Sequence, residues 1–194
     1  AYFRDKGLPV TVFTSPACTP PDLTERLAAR GFVRQEGEEV WMVLENLPDF
    51  PIPPLLPGVE VSLVGEEEVV TFAEIFLAAF GLPMDFAPYL AQLLAPSVGL
   101  PAVRHYVALA DGRPAGVCSL LRHDDIGILG SAGVLPEYRQ GGVATNLAIQ
   151  AGLDAQREGV ETLVLQTAGG TFLERVLLAN GFRRAFVREC YVLP

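Results

Sequence analysis

Hydrophobic positions recur along this chain with two periods. From Val59 to Val64 they alternate with polar ones, as in a half-buried strand. Over Glu66 to Phe80 they fall at helical spacing (Val69, Val70, Phe72, Ala73, Phe76, Leu77, Phe80), which predicts a helix after that strand. A second helical stretch, Asp85 to Leu94, stops before Pro96. Arg104 to Ala110 and Pro114 to Leu121 read as strands flanking Asp111-Gly112-Arg113, whose Asp-Gly pair signals a hairpin. A further strand, Ile126 to Val134, follows the polar turn His123-Asp124-Asp125. The next helix runs from about Gly142 to Glu158 on Leu147, Ala148, Ala151, Leu153 and Ala155, with Gly159 as its stop. Glu161 to Gln166 is β-rich and mostly apolar, suggesting a strand buried on both faces. A short helix, Thr171 to Ala179, ends at Asn180-Gly181, and two strands over Phe182 to Leu193 complete an α/β fold, a mixed sheet with helices on both faces.

Five prolines between Leu47 and Gly58 forbid regular helix or central strand, so residues 47–58 read as a stiff linker. It divides an N-terminal piece, 1–46, from a domain spanning 59–194. The two are not unrelated. An offset of 150 lays Leu23 on Leu173, Leu27 on Leu177, Ala29 on Ala179, Gly31-Phe32 on Gly181-Phe182, Arg34 on Arg184, Glu39 on Glu189 and Trp41 on Tyr191. Upstream, an offset of 152 lays Val10 to Phe13 on Thr162 to Leu165 and Gly7 on Gly159. The expectation is an internal repeat, with residues 1–46 a degenerate half-domain of the later type. On that register Ala1 falls on Leu153, inside a helix, so the front half of the first copy is expected to be lost or to lie upstream.

Composition narrows the classes. Half of the 194 residues are apolar, enough for a sizeable core. The longest apolar stretch, Val69 to Pro83, is broken by Glu74 and is too short to span a bilayer; neither a signal peptide nor a membrane partner is expected. A net charge of −9 disfavours nucleic acid and favours cationic or neutral substrates. Cys18, Cys118 and Cys190 are odd in number and widely spaced, which argues against disulfides and zinc and fits a cytoplasmic protein. No metal is expected, since His123 beside Asp124 and Asp125 has only one other histidine in the chain to draw on.

The most informative segment is Val134-Leu135-Pro136-Glu137-Tyr138-Arg139-Gln140-Gly141-Gly142-Val143-Ala144-Thr145. It sits where a strand ends and a helix begins, so glycines leave backbone N–H groups open to an anion, a diphosphate being the natural guest. In its strand-loop-helix context, with Asn180-Gly181-Phe182 downstream, it resembles the GNAT superfamily of acyl-CoA-dependent N-acyltransferases over about Val59 to Pro194. The resemblance implies acetyl-CoA as cosubstrate. Its diphosphate would be cradled by Arg139, Gln140, Gly141, Gly142, Val143, Ala144 and Thr145. Its pantetheine arm would pair with the backbone of Ala132, Gly133 and Val134. The family uses mainly the backbone of the arginine, so the Arg139 side chain is expected to reach solvent. Glu137 and Tyr138 follow the loop consensus and shape it.

The same resemblance implies direct acyl transfer to an amine, with a base and an acid to handle protons. Here the chain departs from the family pattern. Leu177 stands where a tyrosine commonly serves as acid, and the strand Ile126 to Val134 lacks the glutamate often used as base. Substitutes are His105, His123, Asp124 or Asp125 as base and Tyr191 or Tyr138 as proton donor. Against these, His105 reads more readily as a structural histidine than as a base and the aspartates more readily as a solvated turn, while Cys118 reads as a core thiol. The expected function is N-acetylation of an amine on a small molecule, peptide or protein. The alternative is a non-catalytic acyl-CoA-binding sensor. Phe80 to Leu100, with Phe80, Met84, Phe86, Tyr89 and Leu93, reads as a hydrophobic acceptor site, a dimer face or core. Exposed sheet edges of a half-domain would need covering, by docking on the second domain or by a homodimer.

Overall fold

A computed structural model describes residues 10–193. By its contacts the chain forms two compact units, one of residues up to Leu44 together with those from Leu165 onward, the other Glu45–Val164. The expected division of the sequence at 46 and 58 therefore differs from the division by contacts, which groups the C-terminal 30 residues with the N-terminal piece. Ala1 and Gly7, which figure in the offset register, lie outside the described residues.

In the unit Glu45–Val164, four antiparallel strands run in the order β7-β6-β5-β4: β4 Val59–Leu63, β5 Val103–Ala110, β6 Arg113–His123 and β7 Ile126–Val134. The tight turns follow from residues that tolerate left-handed backbone: Asp111 (φ 49°) with Gly112 (φ 72°), and Asp124 (φ 51°). Helices α2 (Val69–Ala79) and α3 (Ala87–Leu94) are each preceded by a 3-10 turn, Glu66–Glu68 and Met84–Phe86. Their inner faces (Phe72, Ala73, Ile75, Leu77, Ala87, Ala91) pack on Val107 and Val117. The opposite face takes α4, Val143–Arg157: a Cβ on Gly116 would lie 2.7 Å from Val143 and 3.2 Å from Leu147. Adjacent residues on β6, Gly116 and Val117, thus face different helices, as the pleat requires.

The proline-rich stretch expected as a linker is instead strapped along α4. Leu47 is fully buried in a 3-10 turn, Leu47–Asp49. Gln156 Nε2 donates to the carbonyls of Leu47 (2.6 Å) and Phe50 (2.8 Å), and Ile52 packs where Gly152 has no side chain. Asn146, wholly buried, accepts from Leu56 N–H (2.8 Å) and donates to the carbonyls of Leu56 and Val59 (both 2.9 Å). Prolines leave such a segment poor in donors and rich in carbonyls, and two amide side chains of α4 satisfy it.

The other unit holds β1 (Val10–Thr14), α1 (Leu23–Ala29), β2 (Val33–Arg34), β3 (Glu39–Leu44), the end of β8 (Thr162–Ala168), α5 (Phe172–Ala179) and β9 (Arg183–Leu193). The two strands expected over Phe182 to Leu193 are one, because no turn residue interrupts Arg183–Leu193; its first half pairs with β3 and its second with β1 and β2, all antiparallel. In β8 only Leu163 and Thr167 are buried, while Gln166 and Ala168 are exposed, so it is not enclosed on both faces. Segments 150 residues apart repeat local bonds. Gly31 and Gly181 both have φ 86°, Phe32 N–H donates to Leu27 O and Phe182 N–H to Leu177 O, each at 3.1 Å. Trp41 Nε1–H donates to Glu39 and Tyr191 O–H to Glu189, each at 2.8 Å.

Candidate functional site

The end of β7 and the start of α4 shape the segment Val134 to Thr145. After Val134 the chain makes a 3-10 turn, Pro136–Tyr138, then extends at Arg139, turns left-handed at Gln140 (φ 70°) and reaches Gly142 (φ 79°), the residue that caps α4. Gly141 N–H is spent on Tyr138 O at 3.3 Å. The first bond of the helix is Asn146 N–H to Gly142 O at 2.9 Å, and no side chain caps the helix. The amides of Val143, Ala144 and Thr145 therefore precede the helical ladder and carry its positive dipole end. Val143 is buried and anchors the turn, whereas Ala144 and Thr145 are exposed, which opens the approach. A diphosphate fits this set by charge and by donor geometry. Gly142 is favoured by its positive φ, and a Cβ there would lie 2.9 Å from Leu56 Cδ1, the end of an exposed side chain that can shift aside.

Arg139 does not reach solvent alone. Its guanidinium donates to Ala79 O (2.9 Å) and, more weakly, to Val134 O (3.4 Å). A cation at the last carbonyls of α2 complements that helix's negative end and ties the loop to it.

Of the strand residues expected beside the loop, Ala132 is exposed, Val134 half-buried and Gly133 buried, where a Cβ would meet Ala79 Cβ at 2.8 Å. Just before them β7 carries a bulge: Val117 pairs with Gly133 and Ser119 with Gly130, so Ser131 (φ 48°) and Ala132 together oppose Cys118. A bulge frees backbone groups from the ladder and re-aims the strand. The small-residue run Gly130-Ser131-Ala132-Gly133 inside a strand is its signal in the sequence.

The residues considered for proton transfer are scattered. His105 is buried on β5 between two serines: its Nδ1 lies 2.7 Å from Ser119 Oγ and its Nε2 2.8 Å from Ser97 Oγ. Ser97 donates its own proton to Leu94 O at 2.6 Å, so Nε2–H is the donor to Ser97 and Nδ1 accepts from Ser119. Both nitrogens are engaged, and burial beside Phe72 (5.3 Å, edge-on) lowers the imidazole pKa. His123 and Asp124 occupy the exposed β6–β7 turn, 3.7 Å apart, with Asp125 accepting from the amides of Glu161 and Thr162 through its carbonyl. That turn is eight strand steps from Val134, roughly 26 Å by strand rise. Cys118 is buried and its thiol is pushed up to about 12 by desolvation, which removes it as a nucleophile.

In the other unit, Tyr191 is buried with its hydroxyl given to Glu189, a bond that raises its pKa. Leu177, half-buried on α5, offers only its carbonyl, which accepts from the amides of Asn180 and Phe182. That unit also holds a buried carboxylate, Glu174. Glu174 accepts from Gly170 N–H (2.7 Å) and pairs with Arg184, whose hydrogen bond holds the carboxyl below its ordinary range. The pattern Thr171-x-x-Glu174, a helix-capping signature, was its signal. Among the described residues no cluster of three His, Cys, Asp or Glu could hold a metal, and no helix is long and apolar enough to cross a membrane.

A mixed α/β sheet whose bulged strand runs into a glycine turn with open helix amides presents donors suited to an anion. The chain belongs to the acetyltransferase (GNAT) family, whose sequence profile matches residues 70–182. No match is found among curated proteins. Solved structures of the same fold include a tandem GNAT protein from the clavulanic acid biosynthesis pathway (TM-score 0.74, 17% identity, 98% of this chain and 65% of that one). Others are GCN5-related N-acetyltransferases from Kribbella flavida (0.71, 17%, 100% and 71%) and Sphaerobacter thermophilus (0.71, 19%, 95% and 60%).

Proposed function

We propose that this protein transfers an acetyl group from acetyl-CoA to an amine of a small molecule, peptide or protein. The observation that carries the reading is the turn Arg139 to Thr145, where three amides of α4 precede its hydrogen-bond ladder beneath a left-handed Gly142. Acetyl-CoA supplies an activated thioester. In the net reaction the amine nitrogen bonds the carbonyl carbon, the carbon–sulfur bond breaks, and the ammonium gives up two protons, one of which ends on the thiol sulfur and the other in solvent. With His105 committed to two serines and Cys118 un-ionised, direct transfer with water carrying protons is favoured over an acylated enzyme. Residues 59–194 are read as the transferase domain of a cytoplasmic protein, preceded by a repeat-derived piece; a homodimer is one of two ways of covering the sheet edges of that piece, the other being its docking on the transferase domain.

Calorimetry with acetyl-CoA tests the donor site, and thiol release over an amine panel tests turnover. Gly142→Val, a β-branched residue at positive φ, should abolish binding, whereas Gly142→Asn, which tolerates that backbone, should retain much of it. Unchanged affinity in the valine variant would sink the assignment. Leu177 and the lack of a carboxylate on β7 favour a second reading, an acyl-CoA sensor, which binding without turnover on any amine would select.

A further inference from the structure

The sheet of the unit Glu45–Val164 ends at β4, and among the described residues no strand lies on its outer side. Val64 N–H donates to His105 O at 2.8 Å, in the register that sets Leu63 opposite Tyr106 and Val59 opposite Ala110. Glu60, Ser62 and Val64 therefore exchange bonds with β5, and Val59, Val61 and Leu63 turn their N–H and C=O groups away from it. Asn146 agrees with this direction, since its Nδ2 reaches Val59 O from α4 at 2.9 Å. Such an open row of donors and acceptors is a template for a further strand, and β4 carries neither the lysine nor the proline that commonly blunts an edge.

The strand that fits this edge is its own copy. Antiparallel pairing about a two-fold axis at Val61 sets Val61 against Val61, Glu60 against Ser62 and Val59 against Leu63, with outward-turned residues opposite one another as a ladder requires. Moving the axis to Glu60 would put two carboxylates face to face, and moving it to Ser62 would carry Val59 past the end of the other strand. Charge and length thus select one register. The apolar groups follow it. Leu63 is 49% exposed at one end of β4, and Leu56 is 44% exposed at the other, where Asn146 holds it beside Val59. The axis brings each Leu63 to the Val59 end of the other copy, next to a cavity of about 300 Å³ lined by Leu56, Val59 and Leu109.

We infer that two copies of this chain associate through β4, joining their sheets edge to edge about a two-fold axis at Val61. The inference does not rest on the acetyl-CoA reading. Val59 O, already bonded to Asn146, keeps a second lone pair for the Leu63 amide of the other copy. Each copy carries a net charge of −9, and Glu66, Glu67 and Glu68 beyond β4 are exposed, so repulsion opposes the encounter and salt strengthens the pair by screening it.

Sedimentation equilibrium over roughly a hundredfold range of concentration, at low and moderate salt, tests this. A monomer–dimer equilibrium that tightens as salt rises is the expected result. Ser62 is exposed, so charges placed there spare the monomer: Ser62→Lys, facing Glu60 of the other copy at two symmetric positions, should tighten the dimer about fivefold, and Ser62→Glu should loosen it by as much. Gln92→Lys, the same change of net charge at an exposed position on α3, should do neither. Val61→Pro deletes the amide at the axis, which β5 does not use, and should abolish the dimer with circular dichroism unchanged. A monomer at every concentration and salt overturns the inference, as does a dimer that responds alike to Ser62→Lys and Ser62→Glu. Acetyl-CoA calorimetry on the same variants should show unchanged affinity, and its failure in the parent chain would count against the donor site alone.

Discussion

Asn146→Ala isolates the contact that ties the proline-rich strap to the donor helix. The side chain is wholly buried and makes three hydrogen bonds, to Leu56 N–H, Leu56 O and Val59 O, all between 2.8 and 2.9 Å. Alanine removes the partners and leaves three backbone groups behind. At about 1 kcal/mol net per bond, and more for a group left dry, the loss should be about 3 kcal/mol. For a chain of this size that is roughly 6–12 °C in Tm, read by calorimetry or as a fall in urea midpoint at unchanged m. Since Leu56 packs beside Gly142, acetyl-CoA affinity should fall as well. Asn146→Asp keeps the acceptor, loses both donors and buries a charge near the strap's carbonyls, so it should be no better than alanine. A loss below about 1 kcal/mol for Asn146→Ala would show that the strap is held by its apolar contacts and that the bonds add nothing.

Burial lowers the His105 pKa, so the folded state favours the neutral ring while the unfolded chain takes up a proton near 6.5. Its contribution is fully present above that value and is lost as pH falls through it toward the folded pKa; urea midpoints between pH 5 and 8 should show the decline, and His105→Gln should flatten it. Arg139→Gln should weaken acetyl-CoA binding modestly and cost about 1 kcal/mol or less of stability, because the guanidinium is exposed and bonds two carbonyls rather than a buried charge; a full loss of binding in calorimetry would mean that the side chain itself holds the donor. Thiol titration of the native protein should label Cys18, whose pKa the Ser15 amide and hydroxyl lower, well before the buried Cys118. Equal rates would contradict the burial of Cys118.

The elements of the second unit were legible because their signals are local. Alternation marks β4, helical spacing α2, and residues tolerant of positive φ the turns at Asp111-Gly112 and Asp124, each set by a few consecutive residues. The donor turn is local in the same sense. Gln140, Gly141 and Gly142 decide the backbone that opens the first amides of α4, whatever surrounds it.

What the sequence by itself determined is therefore the order of the elements, the turns and the backbone of the glycine segment before α4. Tertiary structure decided the rest, since it depends on partners distant along the chain. Asn146 meets Leu56 across 90 positions and makes a strap of what composition reads as a spacer. Arg139 crosses 60 positions to Ala79, and His105 becomes a structural group only when Ser97 and Ser119 close on its two nitrogens. The bulge at Ser131 arises from a mismatch of pairing with β6, a property of two strands that neither carries alone. Period and propensity act within a turn or a strand, whereas burial and hydrogen-bond completion are settled only when the helices close on the sheet.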